Sequence, residues 1–279
     1  MRFPFFFPRL VVFFGVFVSL FGLLSSPVFA AEAIKQFDVE ASIATNRFVQ
    51  LQEKITYDFG DEWKHGIFRL IPMKYNRDGL NYNLHLEVTS IKMDGRDVPW
   101  EKEDRLNGIN LKIGDAGTLI KGTHVYQIAY QTDRALNDFA DHQELYWNVT
   151  GNEWEVPIEK STFRVRAPAS SSEKTCYTGI LASREQDCVS TINGGVTEFR
   201  LTKALGPYEG FTAVVAYPAG TIHALRWYER ALQVIRDNIP LFIPVGVFVL
   251  MLLIWWKKGR EPRGRGTIVP QYEKPRGLP

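Results

Sequence analysis

The chain has 279 residues, 45% of them hydrophobic and 23% charged, with a formal net charge of +2. A net charge that small, with much of its local excess beside one apolar segment, argues against a nucleic-acid partner. Two cysteines without neighbouring histidines cannot supply the four ligands of a structural zinc site, and the length allows one large core or two small ones.

At the N-terminus, Arg2 and Arg9 flank a phenylalanine-rich start, and Leu10 to Leu24 is an apolar core too short to span a bilayer comfortably. Val28-Phe29-Ala30 carries residues of the kind a signal peptidase reads, so residues 1–30 are expected to be a signal peptide cut after Ala30. A retained signal anchor is the rival reading, and Ala31-Glu32-Ala33 offers a second cut. Either way the following segment is exported.

From Ala31 onward, apolar residues alternate with a period of two. Phe37, Val39, Ala41 and Ile43 share one face; Val49, Leu51, Ile55 and Tyr57 share another, with Glu53 as the exception. The same pattern predicts strands around Tyr82–Val88, Ile109–Ile113, Tyr126–Tyr130, Leu145–Val149, Phe163–Ala167, Thr197–Leu201 and Phe211–Tyr217. Asp94-Gly95 and Asn193-Gly194-Gly195 are turn signals between extended segments. Many half-buried strands with recurring turns and no long helical period predict a mainly β fold, an antiparallel β-sandwich, over residues 31–220. Cys176 and Cys188 lie in a polar segment of this exported region, where an oxidising compartment favours a disulfide; two unrelated free thiols are the alternative.

Beyond Pro218-Ala219-Gly220, the spacing of Ile222, Leu225, Tyr228, Leu232 and Ile235 predicts a juxtamembrane amphipathic helix over residues 221–238, placed at the membrane surface. Ile239 to Trp256 is apolar and uncharged, and at about 1.5 Å per residue it reaches roughly 27 Å, the length of a transmembrane helix. Lys257, Lys258, Arg260, Arg263 and Arg265 follow it, against the fewer and more dispersed Arg226, Arg230 and Arg236 before it. This asymmetry places residues 257–279 in the cytoplasm and the preceding domain outside a cytoplasmic membrane crossed once. The Gly-, Pro- and Arg-rich tail has too few apolar residues to form a core and is expected to be disordered.

Three segments carry a resemblance. Ile55-Thr56-Tyr57-Asp58-Phe59 with His65-Gly66-Ile67-Phe68-Arg69-Leu70-Ile71-Pro72 is the first, and Glu144 to Trp154 with Pro157-Ile158 is the second. The third is Gly259-Arg260-Glu261-Pro262 leading to Val269-Pro270-Gln271-Tyr272-Glu273 and Pro275. In this order around an apolar helix, they resemble the family of predicted membrane proteins DUF2207. The resemblance implies an architecture of signal peptide, exported β-rich domain and membrane parts, and it brings no established biochemical activity with it. Members usually continue into more cytoplasmic and membrane sequence than this chain, which stops at Gly277-Leu278-Pro279; a fragment and a shortened member both fit.

Within the two exported motifs, His65, Arg69, Trp147, Asn148 and Trp154 are the candidate binding residues. A histidine beside a glycine, His65-Gly66, gives close backbone access, an arginine can bind a carboxylate or phosphate in two-pronged fashion, and two indoles around a polar turn can form a platform. The competing reading is a strand entry with Arg69 paired to a carboxylate, and tryptophans packed in the core. Asp58, Asp61, Glu62, Asp138, Asp141 and Glu144 are abundant enough for a two-carboxylate hydrolase but read more simply as solvated loop charges. His65, His85, His124, His142 and His223 are scattered, Asn76-Arg77-Asp78-Gly79 lacks the later ligands of a calcium loop, and Asn148-Val149-Thr150, a formal glycosylation sequon, reads as structural. No catalytic residue, metal or cofactor is assigned. The expected role is binding or interaction at the outer face of the cytoplasmic membrane, with the lipid bilayer and a membrane or envelope protein as partners; a structural subunit and an envelope-polymer hydrolase are the alternatives, and the oligomeric state stays open.

Overall fold

A computed structural model describes residues 32–77 and 79–259. The expected signal peptide and the tail from Arg260 lie outside the described residues. Seventeen strands are followed by two helices. In chain order the strands are β1 (Ala33–Ile43), β2 (Val49–Asp58), β3 (Gly66–Pro72), β4 (Lys74–Arg77), β5 (Leu80–Asn83), β6 (Leu86–Met93), β7 (Arg96–Asp97), β8 (Trp100–Arg105) and β9 (Gly108–Gly114). They continue as β10 (Thr123–Thr132), β11 (Leu136–Asp138), β12 (His142–Asn148), β13 (Ser161–Arg166), β14 (Glu173–Gly179), β15 (Cys188–Asn193), β16 (Val196–Leu201) and β17 (Gly210–Pro218). The helices are α1 (Trp227–Asp237) and α2 (Ile239–Ile254), the latter running into a π turn, Trp255–Gly259.

The described residues form two compact units: those up to Met73 with Leu84–Ala224, and Lys74–Asn83 with those from Leu225 onward. The first is the β-sandwich. Its large sheet has eight strands in the order β15-β16-β13-β1-β2-β10-β6-β7, and smaller sheets are β11-β12-β17-β14 and β3-β9-β8. Pairing is antiparallel except between β1 and β13, where Phe37 stands opposite Ser161 and the register runs in parallel to Ser42 and Arg166. The period-two pattern explains the layers. In β2, Val49, Leu51, Glu53, Ile55 and Tyr57 are buried while Gln50, Gln52 and Lys54 are exposed, because successive side chains point to opposite faces. The inner faces interlock through Phe37 against Trp154, ring centroids 6.0 Å apart, and Tyr130 against Trp147, 6.3 Å apart. Each fully buried Val, Leu, Ile or Phe contributes about 1.5–3 kcal/mol, which is what holds the layers together.

Several boundaries differ from the sequence pattern for definable reasons. The Tyr82–Val88 run is divided at Leu84 and His85, so Tyr82 belongs to β5 and Val88 to β6, each with its own partner strand. β14 and β15, which no alternation announced, are joined by the Cys176–Cys188 disulfide. Because β14 belongs to the four-stranded sheet and β15 to the eight-stranded one, that bond ties the two layers. Ile222 is outside the helix: it is buried, and its N–H donates to Gln143 Oε1 at 2.9 Å. Both turn signals hold, Asp94-Gly95 between β6 and β7 and Gly194-Gly195 between β15 and β16, all four residues at positive φ as two-residue hairpin turns require.

A buried arginine closes the β1–β2 turn. Arg47 donates to Asp138 Oδ1 at 2.8 Å and to the carbonyls of Leu136 and His223, both at 2.9 Å. The chain leaving β17 is thereby held against the turn, with the His223 N–H donating to the Thr45 carbonyl.

In the second unit β4 and β5 form a hairpin, Lys74 opposite Asn83. α1 begins where the Arg226 N–H donates to Glu229 at 2.7 Å, satisfying one orphan donor of the first turn. Ile239–Gly259 is a continuous 21-residue helical stretch, long and apolar enough to cross a membrane.

Candidate functional site

Arg69 is the centre of the first family motif. It lies on β3 between the buried Ile67 and Ile71, on the inward side of the strand, and is 1% exposed. A guanidinium in that position must find partners for five N–H groups. Nε donates to Glu53 Oε2 and Nη2 to Glu53 Oε1, both at 2.8 Å, a two-pronged pairing with a carboxylate that is itself 2% exposed. Nη1 donates to the Thr150 carbonyl at 2.7 Å and the Leu70 carbonyl at 2.9 Å, and Nη2 to the Val149 carbonyl at 3.2 Å. All five donors are used. Tyr130 donates its hydroxyl to Glu53 Oε1 at 2.6 Å, and the guanidinium carbon lies 5.3 Å from the centroid of the Phe37 ring. Burial works against the Arg69 charge, but the Glu53 charge and its hydrogen bonds outweigh it and raise the guanidinium pKa.

The second motif wraps this pair. Asn148 Oδ1 accepts the Gly151 N–H at 2.9 Å, which forms the turn after β12. Gly151 has a φ of 79°, and a side-chain carbon there would stand 2.9 Å from Arg69 Nη1, so glycine is required by both backbone and neighbour. The Trp154 indole N–H donates to the Thr150 carbonyl at 2.8 Å, the same oxygen that accepts from Arg69. Thr150 Oγ1 accepts the Phe211 N–H at 2.9 Å, fastening the turn to β17. Trp147 is buried against Tyr130, and its indole N–H has no hydrogen-bond partner among the described residues.

Four of the five candidate residues, Arg69, Trp147, Asn148 and Trp154, therefore gather around the loop 148–154. His65 does not join them. It is exposed at the start of β3, its Nδ1 is 3.0 Å from the Thr118 carbonyl, and it lines a separate cleft of about 420 Å³ with Asp94, Arg96 and Asp115. Gly66 beside it stands opposite Gly114, both at positive φ, and a Cβ on either would strike the backbone carbonyl preceding the other. Close strand approach accounts for that glycine.

Glu53 and Tyr130 were absent from the candidate set. The available signal was the charged exception in the apolar face of β2, matched by an arginine on the inward face of β3.

The outward side of the same region is a cleft of about 610 Å³, lined by Phe68, Leu70, Arg105, Leu106, Asn110, Glu153 and Glu155 with the buried Arg69 and Trp154. Phe68 is 60% exposed and Leu106 91%, large apolar groups presented to solvent. Glu153 and Glu155 are exposed carboxylates, whereas Arg105 is bonded to Glu103 at 2.6 Å. The cleft thus combines apolar walls with an acidic side. The outer face of the large sheet holds another concavity of about 470 Å³, where Arg164 is paired with Glu198 at 2.8 Å and Glu40 at 3.5 Å.

Four of the six clustered acidic residues bond locally. Asp138 accepts from Arg47 and Gln143, Glu144 from Asn137, and Asp58 from the Gly60 N–H. Asp141 is held below the usual carboxylate range by its hydrogen bond with His142. Among the described residues no three His, Cys, Asp or Glu side chains gather as a metal site.

The chain is 27% identical over 249 residues to "Uncharacterized protein YciQ" of Escherichia coli (strain K12), a match covering 87% of this chain and 38% of that protein. It thus spans well under half the length of that relative. Similar solved structures include native leukotriene A4 hydrolase from Saccharomyces cerevisiae, at TM-score 0.43 and 12% identity, covering 66% of this chain and 29% of that one. An M1 zinc metallopeptidase from Deinococcus radiodurans matches at TM-score 0.39 and 13% identity, covering 72% of this chain and 52% of that one. Likenesses at those scores carry no argument about activity. Residues 33–217 match the family described as "Predicted membrane protein (DUF2207) N-terminal domain", and the chain belongs to that family.

Proposed function

We propose that this chain is a membrane-anchored binding module whose β-sandwich stands outside the cytoplasmic membrane, with the basic tail in the cytoplasm. The observation that carries the reading is the pairing of a rigid interior with an unfilled exterior. Arg69 and its partners are saturated within the fold, while Phe68 and Leu106 are exposed at the cleft beside them. Exposed apolar groups rimmed by polar ones are the usual surface of protein recognition. The two carboxylates, Glu153 and Glu155, favour a partner segment that brings an apolar side chain flanked by basic ones. The basic residues after α2 support the orientation by the positive-inside rule.

The test is co-purification of the full chain from detergent-solubilised membranes beside a Phe68→Glu, Leu106→Glu double variant. The expected result is a partner at fixed stoichiometry that is lost in the variant while the thermal midpoint is unchanged. Retention of every partner by a folded variant would reject this cleft as the contact surface.

A further inference from the structure

α1 is an amphipathic helix covered on the wrong side for a water-soluble protein. Trp227, Tyr228, Ala231, Leu232, Val234 and Ile235 follow spacings of three and four and form one stripe. That stripe is open, with Trp227 81% and Leu232 58% exposed. The polar side is the one that protein covers. β5 packs along the helix, and the Asn83 N–H donates to Asp237 Oδ2 at 3.2 Å. Asn238, 5% exposed, acts as a substitute strand: its Oδ1 accepts the Asn81 N–H at 2.9 Å and its Nδ2 donates to the Asn81 carbonyl at 3.0 Å. The same Nδ2 donates to the Val234 carbonyl at 2.9 Å, so one buried side chain locks the hairpin to the last turn of α1.

We infer that α1 lies in the plane of the membrane interface with its apolar stripe in the lipid, clamped from the water side by the β4–β5 hairpin. Continuity identifies the occupant. Asn238 is the single residue between α1 and α2, so the open stripe ends where the membrane-spanning helix begins. Apolar faces with flanking aromatic and basic groups bind at the boundary of headgroups and acyl chains. Trp227 and Tyr228 supply the aromatic groups, and the exposed Arg226 and Arg236 are placed to meet lipid phosphates. The hairpin, distant in sequence, thereby sets the angle at which the chain enters the bilayer.

The test uses the full chain in vesicles of phosphatidylethanolamine and phosphatidylglycerol, spin-labelled at single cysteines with the native disulfide intact. Labels replace Leu232, Ile235, Gln233 and, as a reference in α2, Val247. Collision with oxygen reports lipid, and collision with a water-soluble nickel chelate reports solvent. The expected result is an oxygen-to-nickel ratio several-fold higher at Leu232 and Ile235 than at Gln233, together with lipid exposure at Val247. In Asn238→Ala the ratio at Leu232 and Ile235 should fall toward that at Gln233 while Val247 is unchanged. Equal solvent access at Leu232, Ile235 and Gln233 with Val247 in lipid overturns the inference. So does protection of Leu232 and Ile235 from both reagents, which would mean a protein occupant such as a second copy. Solvent access at Val247 would reject the membrane reading of α2 itself.

Discussion

Arg69 and Glu53 meet in the middle of the sandwich, two charges with 1% and 2% exposure joined by two hydrogen bonds of 2.8 Å. Desolvating such a pair cancels much of its attraction, whereas removing one partner strands the other. Glu53→Met alone is expected to destabilise the protein by about 3–5 kcal/mol, and Arg69→Met alone by a similar amount. The double variant Glu53→Met, Arg69→Met should recover most of the loss, because neither charge is then left unpaired. Chemical unfolding of the four proteins measures the coupling directly.

The two tryptophans should respond differently to phenylalanine. Trp154 donates to the Thr150 carbonyl that also receives Arg69, so Trp154→Phe forfeits a buried hydrogen bond and is expected to cost about 1 kcal/mol beyond its lost volume. Trp147 has no hydrogen bond to lose among the described residues, so Trp147→Phe should cost only its lost packing. Thermal midpoints of the two variants, measured side by side, rank them.

The disulfide spans 12 positions and joins the two layers through β14 and β15. Replacing both cysteines by serine is expected to lower stability by about 3 kcal/mol on the chain-entropy estimate. The denaturant midpoint of the wild type should fall to that of the serine variant when reductant is added and stay above it without reductant; a reductant-insensitive wild type would contradict the assignment.

Alkaline pH should destabilise the domain through its buried tyrosines. Burial raises the phenol pKa of Tyr126 and Tyr217, and at Tyr57 burial is reinforced by the hydrogen bond to Glu32. A raised folded-state pKa gives stability that is fully present below the ordinary value of 10.0 and is lost as pH rises beyond it toward the folded value. The unfolding midpoint should therefore hold to about pH 10 and fall above it. Tyr217→Phe, whose hydroxyl has no hydrogen bond to lose among the described residues, should flatten the fall.

Much of the sandwich was legible because one sheet face is buried and the other wet, which writes a period of two into β1, β2, β10 and β12. β14 and β15 were illegible for the same reason: runs such as Glu173-Lys174-Thr175 and Ser190-Thr191-Ile192 bury too little on either face to leave a pattern. At the site, Glu53 stood out as a charge among apolar residues, yet only the fold brings it to Arg69 across another sheet. The Asn238 contact with Asn81 was beyond reach, since a backbone-mimicking amide bridging 157 positions leaves no periodic trace.

The most direct test of the binding reading is photo-cross-linking of the full chain in intact cells, with a benzophenone side chain at Phe68, at Leu106 and at Gln127 on the outer face of the large sheet. The account predicts the same adduct from Phe68 and Leu106 and none of that mass from Gln127. No adduct at Phe68 and Leu106, or one shared equally with Gln127, would contradict it.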